Sequence, residues 1–171
     1  MVTAHRSPRE ARDAFDRKAA LVSHPVVRRA RADESDAVAA VFRASKKAAL
    51  PYLPDLHTAA EDRAYLREHV FPSCDVWVAL EEHAIVGFCA FRDGWIDQLY
   101  VESAHQGRGV GSALLERAKS AQQHVQLWTF QRNVRALAFY AARGFRIVRR
   151  TDGSGNEEHE PDVLLAWSAQ V

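Results

Sequence analysis

The sequence is poor in cysteine, has no long apolar run and carries almost no net charge, and each scarcity excludes a class of protein. Cys74 and Cys89 form neither a close pair nor a spacing with histidine, which argues against a disulfide framework and against structural zinc. Both fall in stretches that read as strand or strand edge, where they are expected to fill core. No segment approaches the ~18 consecutive apolar residues that span a bilayer, and no apolar run follows the basic N-terminus as in a signal peptide. A cytoplasmic protein without a membrane partner is expected. The 23 Lys and Arg nearly balance 22 Asp and Glu, a net charge of +1, so no global field would hold nucleic acid. His5, His24, His69, His83, His105, His124 and His159 show no metal-ligand spacing, and no metal is expected. Internal repeats and low-complexity tracts are missing too.

What is present suffices for one core: 171 residues, 47% of them hydrophobic, fit a single domain. Charge is unevenly placed, with eight Arg or Lys in residues 1–31 and none in 152–171, where Asp152, Glu157, Glu158, Glu160 and Asp162 gather. The oppositely charged ends could touch or simply be solvated. Residues 1–24 read as a charged appendage, helix-like from Ala11 to Leu21 between the breakers Ser7-Pro8 and His24-Pro25, and the domain is expected over 25–171. Within it, Val26 to Ala32 reads as a strand. A helix then runs through Val38, Val41 and Phe42, and Thr58 caps a second helix reaching about His69, after an irregular loop that holds Pro51 and Pro54. Strands at 75–80, 85–92 and 95–101 form an antiparallel meander. Helical periodicity follows at Val110, Ala113, Leu114, Ala118 and Ala121, then a strand at 125–130, a helix capped by Asn133, and a hairpin of strands at 145–149 and 163–167.

The chemistry concentrates at Gln106-Gly107-Arg108-Gly109-Val110-Gly111, directly between a strand and a helix. Residues without Cβ let the backbone turn sharply, so that several amides converge at a helix N-terminus where the dipole adds about half a positive charge. A phosphate-binding nest is one reading and a tight turn the other. No Gly-Lys-Ser/Thr ending follows, and the preceding strand closes a meander rather than opening a dinucleotide-binding unit, so ATP and NAD are disfavoured.

Leu99-Tyr100-Val101 followed by Gln106-x-x-Gly109-x-Gly111 resembles the acetyl-CoA signature of the GNAT acyltransferase superfamily. Asn133-x-x-Ala136-x-x-Phe139-Tyr140-x-x-x-Gly144-Phe145 resembles its second block, and the order of elements follows the family over residues 26–168. The resemblance implies an α/β fold: a single domain with a mixed, largely antiparallel central sheet, a parallel pair at the acetyl-CoA site, and helices on both faces. It also implies N-acetyltransfer from acetyl-CoA, as co-substrate, to a primary amine by direct attack in a ternary complex. The backbones of Leu99 and Val101 would pair with the pantetheine arm, and amides from Gln106 through Gly107, Arg108, Gly109 and Val110 to Gly111, with Ser112, would hold the diphosphate. Arg108 would add charge, Asn133 would bond the cofactor arm as well as cap its helix, and Tyr140 would protonate the departing thiolate.

A base is also required, since an alkyl ammonium of pKa ~10.4 is neutral about once in two thousand molecules at pH 7. Strand alternation sets Asp97 on the face of Trp95, Leu99 and Val101, which makes it the first candidate base; His57, Glu157 and Glu158 are further ones. Tyr52, Leu53, His57 and the acidic loop 156–162 would border the acceptor, a small or peptidyl amine, with acidic walls favouring a cation. A non-catalytic acyl-CoA sensor or interaction module is the alternative. RNA binding through Arg28, Arg29 and Arg31 is disfavoured because alternation splits them between faces. Oligomeric state is left open, a homodimer included.

Overall fold

The computed structural model describes residues 25–169. The appendage 1–24, its helical stretch and any contact between the charged ends lie outside the described residues. A seven-stranded sheet in the order β1-β2-β3-β4-β5-β7-β6 forms the centre. Its strands are β1 (Val26–Arg29), β2 (Asp75–Glu81), β3 (Ala84–Arg92), β4 (Trp95–Val101), β5 (His124–Phe130), β6 (Arg146–Arg150) and β7 (Asp162–Ser168). Every adjacent pair is antiparallel except β4 and β5. The mixed sheet, the parallel pair and the helices on both faces match the expected fold class.

The first face of β2–β4 is covered by α1 (Ser35–Ala49) and by α2, an α segment Ala59–Tyr65 that continues through a π turn, Leu66–Val70, into a final turn, Phe71–Ser73. Val38, Ala39, Val41, Phe42 and Ser45 recur at three- and four-residue spacing and make the buried stripe of α1. In α2, Thr58 Oγ1 accepts from the Glu61 amide while Glu61 returns a bond to the Thr58 amide, a capping box at the expected residue. The helix outruns its expected end at His69. Pro72 cannot supply a helical amide, and the widened turn just before it accommodates that loss.

The second face carries α3 (Val110–Ala121) and α4 (Val134–Ala141). Val110, Leu114, Leu115 and Ala118 are fully buried against Cys89, Phe91, Val125 and Val163. Leu115 takes the inward place that spacing gave to Ala121, which is exposed. Cys89 fills core as expected, and Cys74 is half-buried at the edge of the other cluster.

Charge fixes the start of the domain. Glu34, at the foot of α1, accepts two bonds from Arg28 at 2.6 and 2.9 Å and one from the Arg31 amide at 2.8 Å. Arg29 pairs with Asp75 and Arg31 with Asp33 and Glu34. All three arginines thus have carboxylate partners within the domain.

Two tests follow from the packing. Leu114→Ala is expected to cost about 2–5 kcal/mol, read as a lower urea midpoint at unchanged slope. The Arg28 guanidinium holds the Glu34 carboxyl at about 2, below its ordinary 4.5. With the folded value below the unfolded one, this pairing stabilises the fold above about pH 4.5 and its contribution drains away as pH falls toward 2. Glu34→Gln should flatten that part of the stability–pH curve.

Candidate active site

The site is made where two neighbouring strands separate. Strands β4 and β5 register only at Trp95 with Gln126, where the Gln126 amide donates to the Gly94 carbonyl at 2.8 Å, and then diverge. On the β4 edge, the Glu102 amide points to β3, where it bonds the Val86 carbonyl at 2.9 Å. Alternation therefore turns the main-chain groups of Leu99 and Val101 the other way, into the gap. The Val101 carbonyl indeed accepts from Gln106 Nε2 at 2.8 Å. Gln106 thus uses its side-chain amide nitrogen to tie the glycine turn to the strand. The gap is a cleft of about 370 Å³ reaching from Ser45 and Leu50 on the α1 side to Gly107, Gly111, Phe139 and Tyr140 on the other.

The glycine turn caps that cleft. Gly107 and Gly109 have φ of +76° and +88°, a region that side chains with Cβ rarely adopt, and Gly109 is the N-cap of α3. No side chain caps α3, whereas Thr58 caps α2 and Asn133 caps α4. The first-turn amides of α3 thus face outward with the positive end of the dipole. Gly111 serves a different purpose: a Cβ there would lie 3.3 Å from the Phe139 ring, so its absence lets α3 and α4 approach. Val110 is buried and contributes only its main chain.

Two polar residues of this end are already engaged. Arg108 reaches back to Glu81 at 3.3 Å. Ser112 Oγ accepts from Arg143 Nε and Nη2 at 3.2 and 2.5 Å, and the Arg143 guanidinium lies 3.8 Å over the Phe139 ring. Arg143 escaped the sequence reading; its signal was the four-residue spacing from Phe139, which places both on one helix face.

Asn133 and Tyr140 both line the cleft. The Asn133 Oδ1 accepts from the Ala136 amide at 3.2 Å, so the cap is real and only the side-chain amide nitrogen is left for a ligand. Tyr140 is 7% exposed, edge-on to Phe139 and Phe145 with ring centroids 5.1 and 5.3 Å apart. Burial pushes its phenol well above the ordinary value, so the hydroxyl stays protonated and able to donate.

Asp97 departs from its expected face. Ala90 pairs with Gln98 and Phe91 with Ile96, so Asp97 is the extra residue of a β-bulge. Ile96, not Asp97, joins Leu99 and Val101 on the α3 side. Asp97 lines the cleft but turns to Arg92 at 3.2 Å and accepts from Cys74 Sγ at 3.3 Å. A bulge depends on the partner strand, which is why simple alternation missed it.

The expected acceptor residues gather near the α1 end of the cleft, outside its lining. The β6–β7 connection is a built loop in which Asn156 Nδ2 bonds the Glu160 carbonyl and the Asp162 carboxylate, and the left-handed Gly153 packs against the Glu160 backbone. Rather than presenting a free acidic wall, it is tied across the groove: Glu157 to His57 at 3.0 Å, Glu158 to Lys46 at 3.2 Å, and Glu160 to Arg132 at 3.6 Å. The Glu157 partner raises the His57 pKa. Tyr52 lies under the Arg132 guanidinium at 4.0 Å with its hydroxyl buried and unpartnered, and burial raises that phenol. Leu53 and His57 line a separate hollow beneath the proline loop.

Among the described residues no group of His, Cys, Asp and Glu could hold a metal, and no helix is long and apolar enough to cross a membrane. Residues 72–147 match the family model of the acetyltransferase (GNAT) domain. The chain is 28% identical over 130 residues to the peptidyl-lysine N-acetyltransferase YjaB of Salmonella typhimurium, covering 74% of this chain and 86% of that protein. It is 29% identical over 145 residues to YjaB of Escherichia coli, which carries the same name, covering 82% and 95%. The solution structure of the apo-form of the Escherichia coli protein superposes with a TM-score of 0.71 at 26% identity, covering 85% of this chain and 99% of that one. The parted strands, the uncapped helix behind a glycine turn and the buried tyrosine sit inside that matched region, which has the sequence and fold of the GNAT acetyltransferase domain and supports an acetyl-CoA-dependent N-acetyltransferase.

Proposed function

We propose that this protein transfers the acetyl group of acetyl-CoA to the side-chain amine of a lysine in a polypeptide, by direct attack within a ternary complex in the cytoplasm. The observation that carries the reading is the pair of main-chain edges at Leu99 and Val101, turned into a cleft that ends on the uncapped N-terminus of α3. An extended amide-bearing pantetheine arm completes the missing strand pairing there, and the diphosphate takes the amides from Gly107 to Ser112. On this reading Arg108 leaves Glu81 for the diphosphate, and the free amide nitrogen of Asn133 donates to the arm. The peptidyl acceptor is supported by the names of the similar bacterial proteins.

The chemistry follows from charge. The amine nitrogen attacks the thioester carbonyl; the new C–N bond forms, the C–S bond breaks, and the sulfur leaves with the electron pair. Tyr140, kept protonated by burial, donates its proton to that sulfur and is reprotonated by the extra proton that the acetylated nitrogen sheds as the amide forms. Asp97 takes the ammonium proton through water before attack. The mouth bounded by Tyr52, His57, Glu157 and Glu158 admits the acceptor, and Lys46 sits among these groups as a competitor that the substrate ammonium must displace from Glu158.

Tyr140→Phe keeps the ring packing and removes the proton. Its kcat should fall about a hundredfold while the KM for acetyl-CoA stays unchanged. Steady-state release of free CoA thiol reads both, and unchanged kcat would remove Tyr140 from the reaction.

A further inference from the structure

The two sheet faces are unequally covered. Beyond α3 and α4, the second face is closed over β5 and β7, where Val125, Leu127, Val163 and Leu165 are buried. On the first face, α1 and α2 stop at β4, and the residues of β5, β7 and β6 that alternate with that buried set remain open. The register lines them up in two rows, Gln126 with Ala166 and Arg146, and Trp128 with Leu164 and Arg149. Trp128 is 37% exposed, and the Arg149 guanidinium lies 5.1 Å over its ring. All five residues of β6, the edge strand, are exposed.

Two observations say what belongs there. The first is continuity: Trp128, Ser45 and Leu50 line the same cleft as Tyr140 but open it on this face, opposite the glycine turn. A donor anchored at α3 leaves this opening to the acceptor. The second is charge. Arg28, Arg29, Arg31, Arg43, Arg67, Arg92, Arg108 and Arg132 each meet a carboxylate, whereas among the described residues Arg146, Arg149 and Arg150 of β6 meet none, nor do Arg63, Arg117, Arg135 and Arg143 elsewhere. The other bank of the opening is the tethered loop whose carboxylates Glu157, Glu158 and Glu160 are already paired with His57, Lys46 and Arg132. An apolar strip flanked by guanidiniums without carboxylate partners, beside a bank of acids already held by side chains of the domain, is complementary to a segment carrying carboxylates.

We propose that this open half-sheet is the docking face for the acceptor polypeptide, and that it selects lysines flanked by acidic residues. The inference rests on the peptidyl reading above. Arg149, stacked on Trp128, contacts a flanking carboxylate, and Arg146 extends the charge along β6. Arg149 acts on acceptor choice and lies apart from the donor site.

Fluorescence anisotropy with two labelled peptides tests it, one carrying an Nε-acetyl-lysine between aspartates and the other between lysines, so that binding is read without turnover. The acidic peptide is expected to bind about tenfold tighter, to weaken with added salt, and to lose the preference in Arg149→Glu. The same variant should acetylate a small amine as well as the wild type does. Equal affinity for both peptides, or a preference indifferent to Arg149→Glu, overturns the proposal. So does a dimer in sedimentation that Arg149→Glu dissolves, which would make the face a self-interface. Selective binding of the acidic peptide with acetylation of small amines alone would keep the docking face and refute the peptidyl reading.

Discussion

Two strands that begin as neighbours and then part leave main-chain donors and acceptors without partners, and the whole site is organised around that deficit. Backbone groups at the edge of a covered sheet must be satisfied by something. Here the Leu99 and Val101 edge faces a cleft floored by side chains from both sides of the sheet, with Gln106 bonding one carbonyl from within. The same separation sets the end of α3 against the head of the cleft. One irregularity in pairing thus creates the slot for an extended amide chain and aims a helix dipole at its end.

Around that slot, rigidity and adjustable charge are divided. Tyr140, Phe139, Phe145 and the close approach at Gly111 form a packed floor that has little room to move. The charged groups are held in exchangeable pairs: Arg108 with Glu81 at the diphosphate end, Lys46 with Glu158 and His57 with Glu157 at the acceptor end. Only the His57–Glu157 pair is half-exposed on both sides and costs little to trade; Glu81 and the Lys46–Glu158 pair are mostly buried, so the ligand's own charge must replace the partner that leaves. Anionic donor and cationic acceptor then each find a countercharge at their own end of the cleft.

Much of this was legible in the sequence. Helical spacing found α1, α3 and α4 because each buries a stripe, and the caps at Thr58 and Asn133 stand where polar residues precede apolar periodicity. The glycine turn was legible because positive φ at Gly107 and Gly109 restricts the residue type. What escaped reading depends on partners distant in the chain. The bulge that turns Asp97 away from Leu99 is set by how β3 counts against β4. The pairing of Glu158 with Lys46 and of Glu157 with His57 joins residues 112 and 100 positions apart, which no local pattern records. The open face of β5, β7 and β6 appears only once it is known that α1 and α2 stop at β4.

The central claim is that the cleft beside Leu99 and Val101, headed by the α3 terminus, takes up coenzyme A. Isothermal titration with coenzyme A, and separately with pantetheine and with adenosine 3′,5′-bisphosphate, measures it most directly. Saturable one-to-one binding of coenzyme A is expected, tighter than that of either fragment because slot and helix end act together. No heat at millimolar coenzyme A, or binding no tighter than that of the bisphosphate alone, would contradict it.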